Sequence, residues 1–228
     1  MQNFVAILAA GKGSRNGLSQ PKQFEMLHGK TILEHSVDTF EKHSDVDGIY
    51  VVVHPDFIED TRQLLNVGNR PKIKGVIAGG EERGDSSYAA IREITNYELR
   101  ITDVNLLIHD AARPFVSETI ITRTIQALQH HSAVSVAIPA TDTIYLCNDQ
   151  NQIQSSPQRN CVYLAQTPQA ARLTVFKQAF ELARKHNQHL ATDDANVILN
   201  ALPDVQIHVV LGDPANRKIT FQSDLGNF

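Results

Sequence analysis

The sequence is poor in cysteine: its 228 residues include only Cys147 and Cys161. These two residues do not have the spacing of metal ligands, and they are too few to build a disulfide framework. We therefore expect a protein of a reducing compartment, the cytoplasm.

The sequence also lacks a strong excess of either charge. Lysine and arginine together number 21, aspartate and glutamate number 25, and the formal net charge is −4. This balance predicts no general attraction to nucleic acid or to a membrane surface, so any useful positive charge must be local. No apolar run approaches the length of a membrane span, and the first residues do not resemble a signal peptide. A soluble, cytoplasmic protein is expected.

Internal repeats, low-complexity tracts and the residue patterns of hydrolytic catalysis are absent as well. The chain shows no Ser/His/Asp order, no zinc-ligand spacing and no pair of catalytic carboxylates. Its length suits one sizeable core, so we expect a single domain over residues 1–228. Any chemistry should then depend on positive charge.

What the sequence does contain is a glycine-rich turn directly after the apolar run 4–8. Gly11 and Gly13 let backbone N–H groups turn toward an anion, and the small residues beside them let a bulky ligand approach. Arg15 and Lys22 add two fixed positive charges, which suit a polyphosphate better than a carboxylate. The turn therefore predicts a nucleoside triphosphate site.

Two familiar phosphate-binding motifs do not fit this turn. A P-loop requires a glycine where Ala6 stands and a serine or threonine where Gly13 stands. The dinucleotide fingerprint requires its third glycine at Asn16, and Gly17 follows one residue late. A glycine-rich turn with solvated charges and no ligand is the alternative that the turn alone leaves open.

Short apolar segments alternate with amphipathic ones, which is typical of the α/β class, a mostly parallel twisted sheet with helices on both faces. The segments predicted as strands are 4–8, 49–53, 75–78, 104–108, 134–140 and 206–211. The helical patterns cover 31–43, 57–65, 87–99, 174–186 and 193–202. Ligands of such sheets bind beyond the carboxyl ends of the strands, so the polar turns after Leu8, Ala78 and Ile108 should meet at one edge.

The alternating pattern breaks after residue 143: residues 146–157 are polar and rich in Asn, Gln and Ser, and residues 159–166 return to apolar and β-branched character. Residues 148–151 are good turn material between two more apolar flanks, so the segment predicts a hairpin that leaves the sheet. A disordered linker is the alternative.

Several polar residues follow the predicted strands and have two interpretations each. Asp110 could approach a magnesium ion that bridges phosphates while Arg113 binds a second anion, or the two could form a structural pair. Ser86 could cap the helix that follows it or hydrogen-bond a nucleobase. Taken singly, Lys218 is by default a solvated lysine, and His109 is by default structural.

Taken together, these motifs resemble the 2-C-methyl-D-erythritol 4-phosphate cytidylyltransferase family, from the first strand to Leu225. The stretches that carry the resemblance are 9–15, 21–23, 79–80 with Arg83 and 85–86, 109–114, 142–143, 159–160, 166–169, 192–193, 218–220 and 224–225. Each stretch alone is weak, and their common order identifies the family.

The resemblance implies a Rossmann-like nucleotidyltransferase fold and a homodimer joined through a protruding β-arm at about residues 140–160. It also implies magnesium-dependent transfer of CMP from CTP to an alditol phosphate, with release of pyrophosphate. The magnesium ion would be held through the CTP phosphates, with Asp110 as a candidate protein ligand.

Residue roles follow from the same resemblance. The residues implied to be catalytic are Arg15, Lys22, Arg159 and Lys218. Those implied to bind CTP are Ala9, Ala10, Gly11, Gly13, Arg15, Lys22, Gly80, Ser86 and Asp110. Those implied to bind the acceptor are Asp110, Arg113, Thr143, Arg159 and Lys218, with Thr143 and Arg159 supplied by the neighbouring subunit.

The acceptor is expected to be 2-C-methyl-D-erythritol 4-phosphate, because the alanine pairs 9–10 and 111–112 look like that group. Ribitol 5-phosphate is the alternative, since enzymes that activate it resemble this sequence over the same turns, and Tyr145 stands where the arm commonly carries a lysine. Two rival classes are a nicotinamide-dependent oxidoreductase, for which Asp56 would have to hold a ribose, and a non-catalytic nucleotide-binding protein.

Overall fold

The computed structural model describes residues 1–11, 21–97, 103–186, 193–220 and 223–224. The strands in these residues are β1 (Gln2–Ala9), β2 (Met26–Leu27), β3 (Lys30–Thr31), β4 (Gly48–Val53), β5 (Ile73–Ala78), β6 (Val104–Asp110), β7 (Ala133–Pro139), β8 (Leu146–Cys147), β9 (Ile153–Ser155), β10 (Tyr163–Arg172) and β11 (Ile207–Leu211). The α-helices are α1 (Ile32–Lys42), α2 (Ile58–Leu64), α3 (Arg83–Tyr97), α4 (Glu118–Ala127), α5 (Leu173–Lys185) and α6 (Asp194–Ala201).

Within the described ranges, seven strands form one sheet in the order β11-β7-β10-β6-β1-β4-β5. Strand β10 runs antiparallel to both of its neighbours, β6 and β7, whereas the other neighbouring strands are parallel. The predicted α/β class with a mostly parallel sheet is therefore confirmed.

Strand β1 shows why the sheet carries helices on both faces. All its residues from Asn3 to Ala9 are buried, as expected for a central strand covered on both sides. Because side chains alternate along a strand, Val5 and Ile7 join a core with α1 and α4, whereas Phe4 and Ala6 join a second core with α3 and α5. Two apolar cores thus fix the position of the sheet edge that follows β1.

Helix α1 begins and ends close to its predicted bounds, and a local capping signal fixes its start. The Thr31 hydroxyl accepts a hydrogen bond from the Glu34 N–H, and the Glu34 carboxylate accepts one from the Thr31 N–H, which forms a capping box. Leu33, Val37 and Phe40 lie on one buried face at helical spacing.

Three elements differ from the sequence-based expectations. Helix α4 was not predicted; it is capped by the Ser117 hydroxyl, which accepts from the Ile120 N–H. Helix α3 begins at Arg83, four residues before its predicted start, so Ser86 lies inside the helix. Strand β10 continues through 166–169, where its pairing register with β7 shifts between Ala165 and Gln169. A proline at 168, which has no N–H to donate, suits such an irregularity.

The hairpin predicted near residue 148 is present as the separate two-stranded sheet of β8 and β9. The Asn148 side chain accepts hydrogen bonds from the backbone N–H groups of Gln150 and Gln152, which closes the turn. Its apolar side chains are exposed: Leu146 is 53% and Ile153 is 61% accessible. The hairpin therefore buries little against its own chain.

Candidate active site

The polar turns after β1, β5 and β6 meet at one edge of the sheet, as predicted. Leu8 pairs with Asp110 in the register of β1 and β6, and the Ala111 N–H donates to the Leu8 carbonyl at 3.0 Å. A Cβ atom placed on Gly79 would lie 2.5 Å from the Ala10 Cβ, so the turn after β5 approaches that after β1 as closely as glycine permits.

Asp110 is the centre of a buried charge cluster at this edge. Its Oδ1 accepts from the Arg83 Nε–H at 2.9 Å, and its Oδ2 accepts from the Lys218 ammonium at 2.7 Å. Burial alone would raise the pKa of the Asp110 carboxyl, but the two cations outweigh it and hold that pKa well below its ordinary value. Asp110 is therefore ionised and oriented through both of its oxygens.

Asp194, which the sequence did not single out, extends this cluster. Its Oδ2 lies 2.8 Å from Nη2 of Arg83, and its side chain is 1% accessible. Burial raises the pKa of Asp194, whereas the two nearby carboxylates raise the pKa of Arg83 despite the opposing effect of burial. The feature of the sequence that could have pointed to Asp194 is its position directly after the motif 192–193.

The segment that carries Lys218 is tied to the two other cations predicted here. The Arg113 guanidinium donates to the Asn216 carbonyl at 2.8 Å, and the Lys22 ammonium donates to the Ile219 carbonyl at 2.9 Å. The Ile219 N–H donates to the Ala112 carbonyl at 2.8 Å. The structure therefore brings Lys22, Arg113 and Lys218 together, although Lys22 and Ile219 are 197 positions apart in the sequence.

Gln23, which the sequence offered only within a motif, holds the start of the glycine-rich turn. Its side chain is buried and donates to the carbonyl groups of Ala9 at 2.6 Å and Gly11 at 3.2 Å. Gly13 and Arg15 lie outside the described residues. The carbonyl groups at the beginning of this turn are thus turned toward Gln23.

Gly80 and Ser86 form the second small-residue turn. The Ser86 hydroxyl accepts from the Gly80 N–H at 3.2 Å and donates to the Glu82 carbonyl at 3.3 Å, so it is not a helix cap. A Cβ atom on Gly80 would lie 2.2 Å from the Asp85 Cβ, and a side chain there would force the helix to move. Close packing against Asp85 therefore requires glycine at position 80.

His109 has the structural role that was its default interpretation. The Arg113 carbonyl, 3.1 Å from Nε2 of His109, can only accept, so Nε2 carries the proton of the neutral ring. Nδ1 then accepts from the Thr167 hydroxyl at 3.0 Å, and that hydroxyl accepts from the Asp110 N–H. Burial lowers the pKa of His109 to about 4, so the ring is neutral and braces the turn between Asp110 and Arg113.

Thr143 and Arg159 lie in the arm, and the structure shows neither in contact with the Asp110 cluster. Both are exposed, and the Arg159 guanidinium donates to the carbonyl of Thr141 at 3.3 Å. Among the described contacts of this chain, these two residues therefore stay separate from the other predicted acceptor-binding residues.

The described residues do not make a complete magnesium site. They contain no cluster of three or more His, Cys, Asp or Glu side chains that could hold a metal ion. Asp110 ends strand β6 at this edge, and both of its oxygens already accept from cations. An ion at this edge would therefore need ligands that the substrate brings, such as phosphate oxygens.

No helix in the described part of the chain combines the length and the apolar character needed to span a membrane.

Comparison with known proteins gives a consistent family. The family model described as 2-C-methyl-D-erythritol 4-phosphate cytidylyltransferase matches residues 4–227. A cytidylyltransferase of that name from Thermobifida fusca is 37% identical over 97% of this chain and 89% of its own length. The bifunctional ribulose 5-phosphate reductase/CDP-ribitol pyrophosphorylase of Haemophilus influenzae is 36% identical, and this chain spans 47% of its length.

Solved structures agree with the sequence comparisons. A Francisella tularensis 2-C-methyl-D-erythritol 4-phosphate cytidylyltransferase has a TM-score of 0.81 and 31% identity, with 100% of this chain and 98% of that chain covered. The 4-diphosphocytidyl-2C-methyl-D-erythritol synthase of Anaerococcus prevotii has a TM-score of 0.84 and 26% identity, with 99% and 93% covered. This similarity covers the sheet and the arm alike and leaves no support for the oxidoreductase alternative.

Proposed function

Because the chain belongs to the 2-C-methyl-D-erythritol 4-phosphate cytidylyltransferase family, we propose that this protein transfers CMP from CTP to 2-C-methyl-D-erythritol 4-phosphate. The product is a CDP-linked alditol, and pyrophosphate is released. The observation that carries the proposal is the convergence of Lys22, Arg113 and Lys218 on the sheet edge beside the glycine-rich turn. Residues 1–228 would form one nucleotidyltransferase domain.

The reaction joins two anions, so its main barrier is charge repulsion. A phosphate oxygen of the acceptor forms a bond to the α-phosphorus of CTP, and the bond from that phosphorus to the bridging oxygen of pyrophosphate breaks. The leaving electron pair stays on pyrophosphate. The acceptor phosphate is already ionised at neutral pH, so no general base is required, and fixed cations supply the stabilisation.

The two small-residue turns fit the nucleotide. Ala9, Ala10 and Gly11 in one turn and Gly80 in the other carry no bulky side chain, so a base and ribose can lie close to the backbone. We assign Ser86 to the cytosine side, where a bound base would replace one of its present hydrogen bonds. Together with Gly13 and Arg15, Lys22 would hold the triphosphate and stabilise the transition state.

The cations around Asp110 fit the acceptor. Arg113 offers a planar guanidinium for a phosphate, and Lys218 donates to the Asp110 oxygen that does not accept from Arg83. To bind phosphate, Arg113 and Lys22 would exchange main-chain carbonyl groups for phosphate oxygens. Asp110 would then accept from a sugar or alditol hydroxyl.

The remaining acceptor residues, Thr143 and Arg159, would come from a second copy of the chain. The arm that carries them exposes Tyr145, Leu146 and Ile153, which need an apolar surface that the arm's own chain does not provide. A homodimer joined through this arm would bury them and complete each site with the partner's residues.

Magnesium is part of the proposal as an ion that arrives with CTP. When bound, it would neutralise the phosphates of the leaving pyrophosphate. Asp110 is the described side chain that it could approach, and the protein alone offers no complete set of ligands there. The compartment proposed with this function is the cytoplasm, whose reducing conditions suit the two free, exposed cysteines.

Pyrophosphate release with CTP and a panel of alditol phosphates tests the proposal. We expect turnover with 2-C-methyl-D-erythritol 4-phosphate, and little with UTP, ATP or GTP. Faster turnover with ribitol 5-phosphate would instead favour the activity named for the second part of the Haemophilus influenzae relative. Nucleotide binding without pyrophosphate release from any acceptor would favour the non-catalytic alternative.

A further inference from the structure

Arg83 connects the predicted site to a buried carboxylate that no proposed step uses. Its guanidinium contacts Asp110 at 2.9 Å on one side and Asp194 at 2.8 Å on the other. The contacts of Asp110 with Arg83 and Lys218 occupy different carboxylate oxygens. Four charges of alternating sign thus form a line from Asp194 through Arg83 and Asp110 to Lys218.

Asp194 is held in place by the fold and not by its charge alone. It is the first residue of α6, and the Gln169 side chain accepts from the backbone N–H groups of Asp194 and Ala195 at 2.8 and 2.9 Å. Gln169 is buried in strand β10, beside β6. The far end of the line is therefore anchored to the same sheet that carries Asp110.

A buried ion pair is a poor means of gaining stability, because desolvation offsets much of the attraction. Asp194 and Arg83 together add one negative and one positive charge to the interior. Orientation is a better explanation: a carboxylate held by a guanidinium cannot rotate freely, so the oxygen that it presents to Lys218 is fixed.

Lys218 needs such help because its own segment has no helix or strand. Residues 216–220 lie outside the described regular elements, and the Lys218 side chain is 41% accessible. Its described partner is Asp110. The direction of the ammonium group toward the site therefore depends on how Asp110 is held.

We propose that Arg83 and Asp194 are positioning residues: they orient Asp110, and through it they aim Lys218 at the acceptor phosphate. This role rests on the proposed cytidylyl transfer for its kinetic consequences, whereas the orientation itself can be tested without turnover.

The first test separates orientation from stability. Arg83→Met leaves Asp194 buried without its cation and should lower the thermal midpoint, and adding Asp194→Asn should restore the midpoint by removing that carboxylate. Activity should not return: kcat/KM for the acceptor should stay about ten- to a hundredfold below that of the parent, the loss expected for one displaced charge-assisted hydrogen bond. Recovery of kcat/KM together with the midpoint would show that the pair is only structural.

A second test asks whether Arg83 acts through Asp110. In an Asp110→Asn background, Arg83→Met should change kcat/KM by less than about twofold, because coupled residues are not additive. A loss of kcat/KM in the double variant equal to the product of the two single losses would overturn the proposal. Arg83→Lys replaces Arg83→Met in the cycle if the methionine variant does not fold, since one ammonium group cannot bridge both carboxylates. Arg92→Met, an exposed position on the same helix, is the matched control.

A third test does not depend on the reaction. The acetylation rate of Lys218 by an amine-reactive reagent, followed by mass spectrometry with Lys74 as internal standard, should rise several-fold in the Arg83→Met/Asp194→Asn protein. An unchanged or lower rate in this folded protein would overturn the positioning role. Absence of pyrophosphate release by the parent protein would reject the proposed function alone, because the labelling result would still decide the role of Arg83.

Discussion

The sheet edge and the arm both carry proposed site residues, but they hold them in different ways. At the edge, Asp110 and Asp194 have side chains that are 10% and 1% accessible, and each contacts a cation of the same chain. In the arm, Thr143 and Arg159 are exposed, and Arg159 contacts a main-chain carbonyl within the arm.

This difference in burial and pairing indicates which part of the proposed site one chain can assemble alone. The edge cluster rests on two apolar cores and on strand register, so it is organised before any ligand binds. The arm exposes its apolar side chains instead and depends on a surface from outside. Changes at the edge should therefore act within a chain, and changes in the arm should act between chains.

The largest expected effect is at the edge. Lys22→Ala should lower turnover by about a hundred- to a thousandfold, because a fixed charge that stabilises the transition state is lost. The fold should persist, since Lys22 is only half-buried and belongs to neither of the two large apolar cores. Steady-state pyrophosphate release measures the loss, with Lys74→Ala as a surface control. Parent-like turnover by a folded Lys22→Ala protein would reject the proposed mechanism.

The next prediction tests whether the arm acts between chains. Mixing inactive Lys22→Ala and Arg159→Ala proteins should restore about a quarter of parental activity, because half of randomly formed dimers are mixed and each has one intact site. Native mass spectrometry verifies the exchange. If exchange occurs and activity stays at the level of the separate variants, Arg159 acts within its own chain.

The same substitution in the two regions should then affect different equilibria. Ile7→Ala, in the buried core, should lower the free energy of unfolding by about 2–5 kcal/mol. Ile153→Ala, in the arm, should change it by about 0.5 kcal/mol or less within one chain and should weaken self-association. Urea unfolding at two protein concentrations and sedimentation measure both quantities. Equal losses of unfolding free energy in the Ile7→Ala and Ile153→Ala proteins would show that the arm packs against its own core.

The last prediction concerns the pH dependence of stability and sharpens the edge side of the comparison. His109 is neutral when buried, with a pKa lowered to about 4, so the unfolded chain binds its proton first as the pH falls. The resulting loss of unfolding free energy is absent above pH ~6.5 and should reach about 3 kcal/mol near pH 4. Asp194 acts with the opposite sign, because a raised carboxyl pKa favours the folded state as it becomes protonated.

Urea unfolding between pH 7 and 4 measures the slope of the unfolding free energy against pH. His109→Gln should flatten it, whereas His28→Gln, at an exposed position, should leave it unchanged. A slope that His109→Gln does not alter would assign the acid sensitivity to other groups. Below about pH 4, the lowered pKa of Asp110 should remove further stability as that carboxylate protonates.

Local patterns predicted much of the fold. The apolar spacing of Leu33, Val37 and Phe40 located α1, and the capping pair Thr31 and Glu34 fixes its start. Continuous apolar runs located the buried parallel strands, because a strand covered on both faces carries few polar residues. Helix α4 escaped prediction, although its Ser117 cap and buried isoleucines are local features.

The sequence by itself determined the elements, the polar turns and the cations that could serve a triphosphate, since each depends on neighbouring residues. Only the tertiary structure decided that Lys218 contacts Asp110 across 108 residues and that Arg83 joins Asp110 to Asp194. The reason is physical: a buried charge must have a partner, and the packing of α3, α6 and the sheet selects that partner, not the spacing along the chain.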